Sequence, residues 1–180
     1  KNQALAYASK NHYKVLAFYL YKNKKFESQE AQQWWIAKSL EEFKKKLDFY
    51  NINLEIIKIN SYKSFFDELF NRKDFSIYWN KTYEPDYLKF DNYLSTNFSN
   101  RNINFKIFKG NILNEIDEVK KNDGTPFKVF TPYWRNAEKI FLEKIPPNDK
   151  PISKCEKKFS FFKNLIKAEN ILKKKDWIKK

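Results

Sequence analysis

Tyr13-Lys14-Val15-Leu16-Ala17-Phe18-Tyr19-Leu20-Tyr21 is an almost unbroken apolar run. It reads as a strand buried on both faces, the pattern of a parallel sheet whose crossover helices cover both sides. Upstream, residues 3–11 have helical character, with Ala4, Leu5 and Ala8 on one side. Downstream, polar residues 22–29 read as a loop. Ile36, Leu40, Phe43, Leu47 and Tyr50 then recur at intervals of four and three, which marks an amphipathic helix. Residues 54–59 give a second strand, Phe65, Phe66, Leu69 and Phe70 a short helix, and residues 75–79 a third strand. Pro85 opens the next helix at its first position, where a missing N–H costs nothing. The core face of that helix is Tyr87, Phe90 or Asp91, Leu94 and Phe98, and residues 103–108 form a fourth strand. Strand and helix alternate with short connections, so the expectation is an α/β domain with an open parallel sheet and flanking helices.

After Gly110 the rhythm changes. Asn122-Asp123-Gly124 signals a turn in which Gly124 supplies a positive φ, and residues 127–130 read as a short extended segment. Thr131-Pro132 is expected to cap and open a helix carrying Trp134, Ala137, Phe141 and Lys144 or Ile145, which Pro146-Pro147 stops. From Asn148 the chain is polar and lysine-rich apart from Phe159, Phe161, Phe162, Leu165 and Ile166. This divides the sequence into a domain over 1–145 and a linker over 146–180 that needs a partner to pack against.

Composition bounds the function. The chain has 180 residues, 42% of them hydrophobic and 19% aromatic, which suits one folded domain. No apolar run approaches the ~20 residues of a membrane span, and a lone cysteine, Cys155, forms no internal disulfide. The reducing cytoplasm is the default compartment for such a chain. A net charge of +14 invites a nucleic-acid reading. The lysines are spread along the chain, however, and arginine occurs only at positions 72, 101 and 135, so compositional drift competes with DNA attraction. One histidine, His12, and one cysteine make no zinc site. No phosphate loop, nucleophile elbow or catalytic carboxylate pair stands out.

Three ordered stretches carry a family resemblance. Asn122-Asp123-Gly124-Thr125-Pro126-Phe127-Lys128-Val129-Phe130-Thr131-Pro132-Tyr133-Trp134 resembles the segment that ends the antenna domain of DNA photolyases and cryptochromes. Gln33-Trp34-Trp35-Ile36-Ala37-Lys38-Ser39-Leu40 is similar to that domain's second helix. Tyr78-Trp79-Asn80-Lys81-Thr82-Tyr83-Glu84-Pro85 is similar to its strand end and following loop. The resemblance implies a Rossmann-like sheet. It also implies a fragment: relatives have a central first strand before the stretch that Asn2-Gln3-Ala4-Leu5 resembles, and without it two neighbouring strands lack a partner and the excised chain is poorly stable. Relatives carry FAD, the electron-transfer tryptophans and the pocket for a flipped pyrimidine dimer in a helical domain of the same polypeptide. Trp34, Trp35, Trp79 and Trp134 therefore stand apart from electron transfer, with Trp34 and Trp35 core or near-core on their helix.

Open α/β sheets bind ligands beyond the carboxyl ends of their strands, which here means residues 21–25 and 80–84. By resemblance that is where the family holds an antenna chromophore, a folate, a deazaflavin or another flavin. Glu84 is read as a carboxylate for a pterin or flavin-like ring, or as an acidic residue favoured at a helix N-terminus. Asp86 and Tyr87 stand where folate-binding relatives carry an amide and a carboxylate, and Tyr87 departs from that pattern. Tyr21 and Thr82 stand where deazaflavin-type relatives carry acids. Lys128, Thr131 and Arg135 either face the helical domain or are solvated and capping residues. The functional expectation is the antenna domain of a photolyase repairing cyclobutane pyrimidine dimers in damaged DNA, itself without catalysis. A cryptochrome-type photoreceptor and a stand-alone nucleotide- or nucleic-acid-binding module are the alternatives.

Overall fold

A computed structural model describes residues 2–22, 30–72, 74–112, 115, 117–143 and 152–171, with the backbone alone at 141–143. The order is α1 (Gln3–Asn11), β1 (Leu16–Lys22), α2 (Glu30–Phe49), β2 (Asn53–Ile59), α3 (Tyr62–Leu69), β3 (Ser76–Asn80), α4 (Pro85–Asn100), β4 (Asn104–Phe108) and α5 (Phe130–Glu143). A short 3-10 turn follows at Ala168–Ile171. The alternation read from the sequence is thus the architecture observed, a mixed α/β fold of parallel strands and flanking helices. The residues expected to form the loop at 23–29, the Pro146-Pro147 stop and the 145/146 boundary lie outside the described residues.

The strands form two parallel pairs, β1 with β2 and β3 with β4. Strand alternation sends their side chains into two shared layers. Ala17, Tyr19 and Tyr21 of β1 and Tyr78 of β3 join Leu5 and Ala8 of α1 and Ala37, Leu40 and Leu47 of α2. On the opposite side Phe18 and Leu20 of β1 join Ile77 and Trp79 of β3 against Phe66 and Leu69 of α3 and Leu94 and Phe98 of α4. Phe98 is fully buried in an aromatic nest, edge-on to Phe70 at 4.9 Å and beside Phe105 at 5.8 Å. The two pairs therefore share both helical layers, yet β1 and β3 are not hydrogen-bonded to each other.

Several local expectations shift. β1 begins at Leu16 because the Tyr13 carbonyl is taken by the Glu156 N–H at 2.9 Å and Tyr13 turns to solvent. The buried stripe of α2 is Gln33, Ala37, Leu40 and Leu47, which leaves Trp35 68% exposed instead of near the core and Phe43 at the rim. α5 starts one residue before the expected cap: Tyr133 N–H donates to the Val129 carbonyl, so Thr131 and Pro132 sit inside the first turn. Pro132 is tolerated there because first-turn N–H groups have no intrahelical acceptor. No strand forms at 127–129. The turn at 122–124 is as read, with Gly124 at φ 78°.

The tail differs most. Residues 152–171, within the stretch read as a linker, pack on the α/β body, with Cys155 and Ile171 buried in the α1/α2 layer and Phe161 and Phe162 partly buried against the α3/α4 layer. Cys155 N–H donates to the Tyr50 carbonyl at 2.9 Å, Ile166 N–H to the Ile56 carbonyl at 2.9 Å, and Leu165 forms an antiparallel bridge with Ile57. The chain thus hooks around the outer edge of β2 from one helical layer to the other.

Candidate functional site at the strand carboxyl ends

The carboxyl ends of β1 and β3 are where the candidate residues fall. Pro85 occupies the first position of α4, and the extended Glu84 before it (φ −67°, ψ 139°) is the N-cap, its carbonyl accepting from Leu88 N–H at 2.9 Å. The Glu84 side chain makes no capping bond. Glu84, Asp86 and Thr82 are all exposed, so two carboxylates and a hydroxyl stand in water at the mouth of a helix N-terminus, where the dipole favours negative charge. Tyr87 turns inward instead. Its ring stands edge-to-face with that of Tyr62, the first residue of α3, at 6.5 Å. Burial, and then the neighbouring Tyr87 phenol, push the Tyr62 hydroxyl up to about 12. Tyr21, at the end of β1, is 2% exposed and belongs to the α1/α2 core. Thr82, Glu84 and Asp86 thus stand exposed together around the start of α4, Tyr87 turns away from them, and Tyr21 lies in the core beside the neighbouring strand pair.

The floor of this edge is a polar lattice. Asn80 Oδ1, at the last residue of β3, accepts the Ala4 N–H of α1 at 3.1 Å. Lys81 N–H continues the ladder to the Phe108 carbonyl at 2.8 Å, and Lys81 Nζ meets Glu115 at 3.1 Å. Tyr83 donates its hydroxyl to Glu115 at 2.8 Å and accepts the Gly110 N–H at 3.1 Å. A Cβ on Gly110 would lie 2.1 Å from the Lys81 carbonyl oxygen, so only glycine allows this close passage. Trp79 Nε1 donates to Asp91 Oδ1 at 2.9 Å. Burial raises the Asp91 carboxyl, opposed by the Trp79 and Thr82 N–H groups and Lys81. Lys81, Leu88, Asp91, Asn92 and Glu115 line a cleft of about 430 Å³ beside β4. His12 is structural, its Nε2 2.8 Å from the Tyr78 hydroxyl.

Sequence reasoning missed Tyr62, Asp91 as the Trp79 partner, and Glu115. The signal for Gly110 was its rarity in a chain with two glycines. Phe130 and Trp134 stack at 6.1 Å on the exposed face of α5. Lys128 is exposed in the loop before α5, and Arg135 on the helix itself. Among the described residues no group of acids, histidine or cysteine could hold a metal, and no helix is long and apolar enough to cross a membrane.

Open α/β sheets place their ligands beyond the carboxyl ends of the strands, where this chain has its exposed polar residues Thr82, Glu84 and Asp86. The DNA photolyase family profile matches residues 1–151, and the chain belongs to that family. It is 25% identical over 108 residues to a deoxyribodipyrimidine photo-lyase of Agrobacterium fabrum, covering 60% of this chain and 22% of that protein. It is 26% identical over 120 residues to Cryptochrome-2 of Arabidopsis thaliana, covering 65% of this chain and 20% of that one. The fold matches a bacterial class III photolyase from Agrobacterium tumefaciens with a TM-score of 0.74 at 23% identity, over 99% of this chain and 37% of that structure. It also matches an archaeal photolyase from Sulfolobus tokodaii, solved with two FAD molecules, with a TM-score of 0.67 at 18% identity, over 95% of this chain and 37% of that structure. The chain thus spans about a fifth of the length of these curated relatives.

Proposed function

We propose that this chain is the antenna-chromophore domain of a deoxyribodipyrimidine photolyase, supporting light-driven repair of cyclobutane pyrimidine dimers. The observation that carries the reading is the surface of Thr82, Glu84 and Asp86 at the carboxyl end of β3, where carboxylates without a capping role can accept N–H groups of a ring. This set of acceptors fits the N–H groups of a flavin-like ring or a pterin. Tyr87, set edge-on to the Tyr62 ring, offers no carboxylate at the position where folate-type sites carry one. In this reading the domain binds and orients a light-collecting ring, while a helical domain of the same polypeptide holds FAD and receives the damaged DNA. The domain itself makes and breaks no bonds.

The test has two arms. Absorbance and fluorescence titration of the chain with a folate, a deazaflavin and a flavin should give saturable binding of one of them, weakened about tenfold by Glu84→Gln, the loss of a charge-assisted hydrogen bond. Light-dependent repair of a dimer-containing oligonucleotide should occur with the full-length parent and not with this chain. A flavin-loaded parent that repairs no ultraviolet lesion would favour the second reading, a cryptochrome-type photoreceptor, which the similarity to Cryptochrome-2 supports.

A further inference from the structure

The connections that lead into β1, β3 and β4 carry Lys14, Arg72 and Arg101, and the last turn of α1 carries Lys10. The tail adds to these cations at the amino ends of the strands. Ser153 N–H donates to Ser9 Oγ at 3.0 Å and Glu156 N–H to the Tyr13 carbonyl at 2.9 Å, so Lys154 and Lys157 stand exposed beside the end of α1 and the start of β1. Glu55, a carboxylate on β2 that is 3% exposed, fixes the next stretch by accepting Ser160 Oγ and the N–H groups of Phe161 and Phe162, each at 3.0 Å from nitrogen. Lys14 Nζ then lies 5.4 Å from the Phe159 ring and 5.4 Å from that of Tyr13. Arg72 lies over Phe161 at 4.7 Å and Arg101 over Phe70 at 4.8 Å. Attraction to the ring faces holds these charges in place.

The two ends of the strands differ in what their cations meet. At the carboxyl ends Lys81 and Lys109 are taken by Glu115 and Glu118 at 3.1 and 3.3 Å, and Lys120 by Asp117 at 2.8 Å. At the amino ends Lys158 meets Asp48 at 2.7 Å and Arg72 comes within 3.9 Å of Glu68. Lys10, Lys14, Lys154, Lys157 and Arg101 form no ion pair among the described residues. Asp74 and Glu156 offset part of that charge and leave it positive. Compositional drift alone would leave both ends alike. Two rings stand open beside the cations, Phe49 at 73% and Tyr13 at 56% exposure. Unpaired cations next to exposed rings suit a single nucleic-acid strand, whose phosphates meet the charges and whose unstacked bases meet the rings. The two rings, one in a connection and one at the end of α2, make no continuous apolar helix face of the kind a lipid surface takes. We propose that the amino-end face of the strands binds single-stranded nucleic acid, with Lys14, Lys154, Lys157 and Arg101 on phosphates and Tyr13 and Phe49 stacked on bases. It lies at the opposite end of the strands from Thr82, Glu84 and Asp86, and so stands independently of any ring held there.

Fluorescence anisotropy of a labelled oligothymidylate of about 12 nucleotides, titrated with the whole chain at several salt concentrations, tests this. The expected result is saturable binding whose affinity falls steeply as salt rises. Lys14→Ala and Lys157→Ala should each lower the slope of log K against log salt by about 0.7, the loss of one phosphate contact on a single strand. Tyr13→Ala and Phe49→Ala should weaken binding about tenfold at fixed salt and leave the slope unchanged. Lys120→Ala, at the far end of the strands, should change neither. Should Phe49→Ala fail to fold, Phe49→Leu keeps the apolar bulk, removes the aromatic face and carries the stacking test. No binding at low salt, or losses in Lys120→Ala equal to those in Lys14→Ala, would overturn the proposal. Tighter binding to a duplex of the same length would overturn the single-strand assignment. Binding to phosphatidylserine vesicles but not to the oligonucleotide would overturn it in favour of a membrane surface.

Discussion

Tyr62 couples the fold to alkaline pH. Its phenol is partly withdrawn from water beside that of Tyr87, so the folded chain holds the proton to about 12 against an ordinary 10.0. The sign follows from linkage: a raised folded value gives stability that is complete below pH 10 and lost as pH rises through 12. A phenolate absorbance titration should therefore show one tyrosine ionising near pH 12 in the parent and not in Tyr62→Phe. The urea midpoint of that variant should fall less over the interval. Tyr62 was not legible in the sequence, because the short helix it opens was recognised from its phenylalanines. The places of Glu84, Asp86 and Thr82 around the start of α4 were, since a proline after a strand fixes both a helix start and the residues before it. Glu55 left a readable mark, a lone carboxylate in Leu54-Glu55-Ile56-Ile57, but nothing local indicates that its donors lie past residue 159.

Among the elements, strands buried on both faces were plain because their composition is unlike that of any solvated segment. The face of α2 was harder. Gln33 is 1% exposed, and hydrophobic periodicity cannot report a polar residue in a core, so the inferred stripe passed through Ile36 and Phe43 instead. The tail escaped because main-chain donors and spaced anchors, with no repeat, hold it in place. Caps bear on stability directly. Ser61 accepts the Ser64 N–H at 3.0 Å to close the first turn of α3, and α3 carries Phe66 and Leu69 into the aromatic layer. Ser61→Ala should lower unfolding free energy by about 1 kcal/mol, read from the urea midpoint with an unchanged slope. Ser61→Asp should restore most of it, since aspartate caps as well as serine.

Across the whole molecule, the pairs β1–β2 and β3–β4 lie between the same two helical layers, and β1 and β3 have no hydrogen bonds between them. α1 starts against Asn80, at the carboxyl end of β3, and leads by a short connection into β1. A strand added ahead of α1 would, through a right-handed crossover, run parallel with both pairs. A version of the chain extended ahead of Asn2 by a strand-forming segment should melt several degrees higher, as about 1–2 kcal/mol of added pairing implies for a domain of this size. Slow exchange should appear at β1 and β3 together, and an extension that protects neither strand would count against the crossover geometry. The hook of the tail around β2 also sets a timetable. Glu55 and its donors are separated by 105 to 107 residues, so at ~5–20 residues per second a ribosome takes on the order of 5–20 s to deliver the second after the first. For that interval the nascent chain carries a finished strand with a charged side chain awaiting its ligands and one flank open, which makes the rate of translation, and any chaperone met during it, part of how this protein reaches its native state.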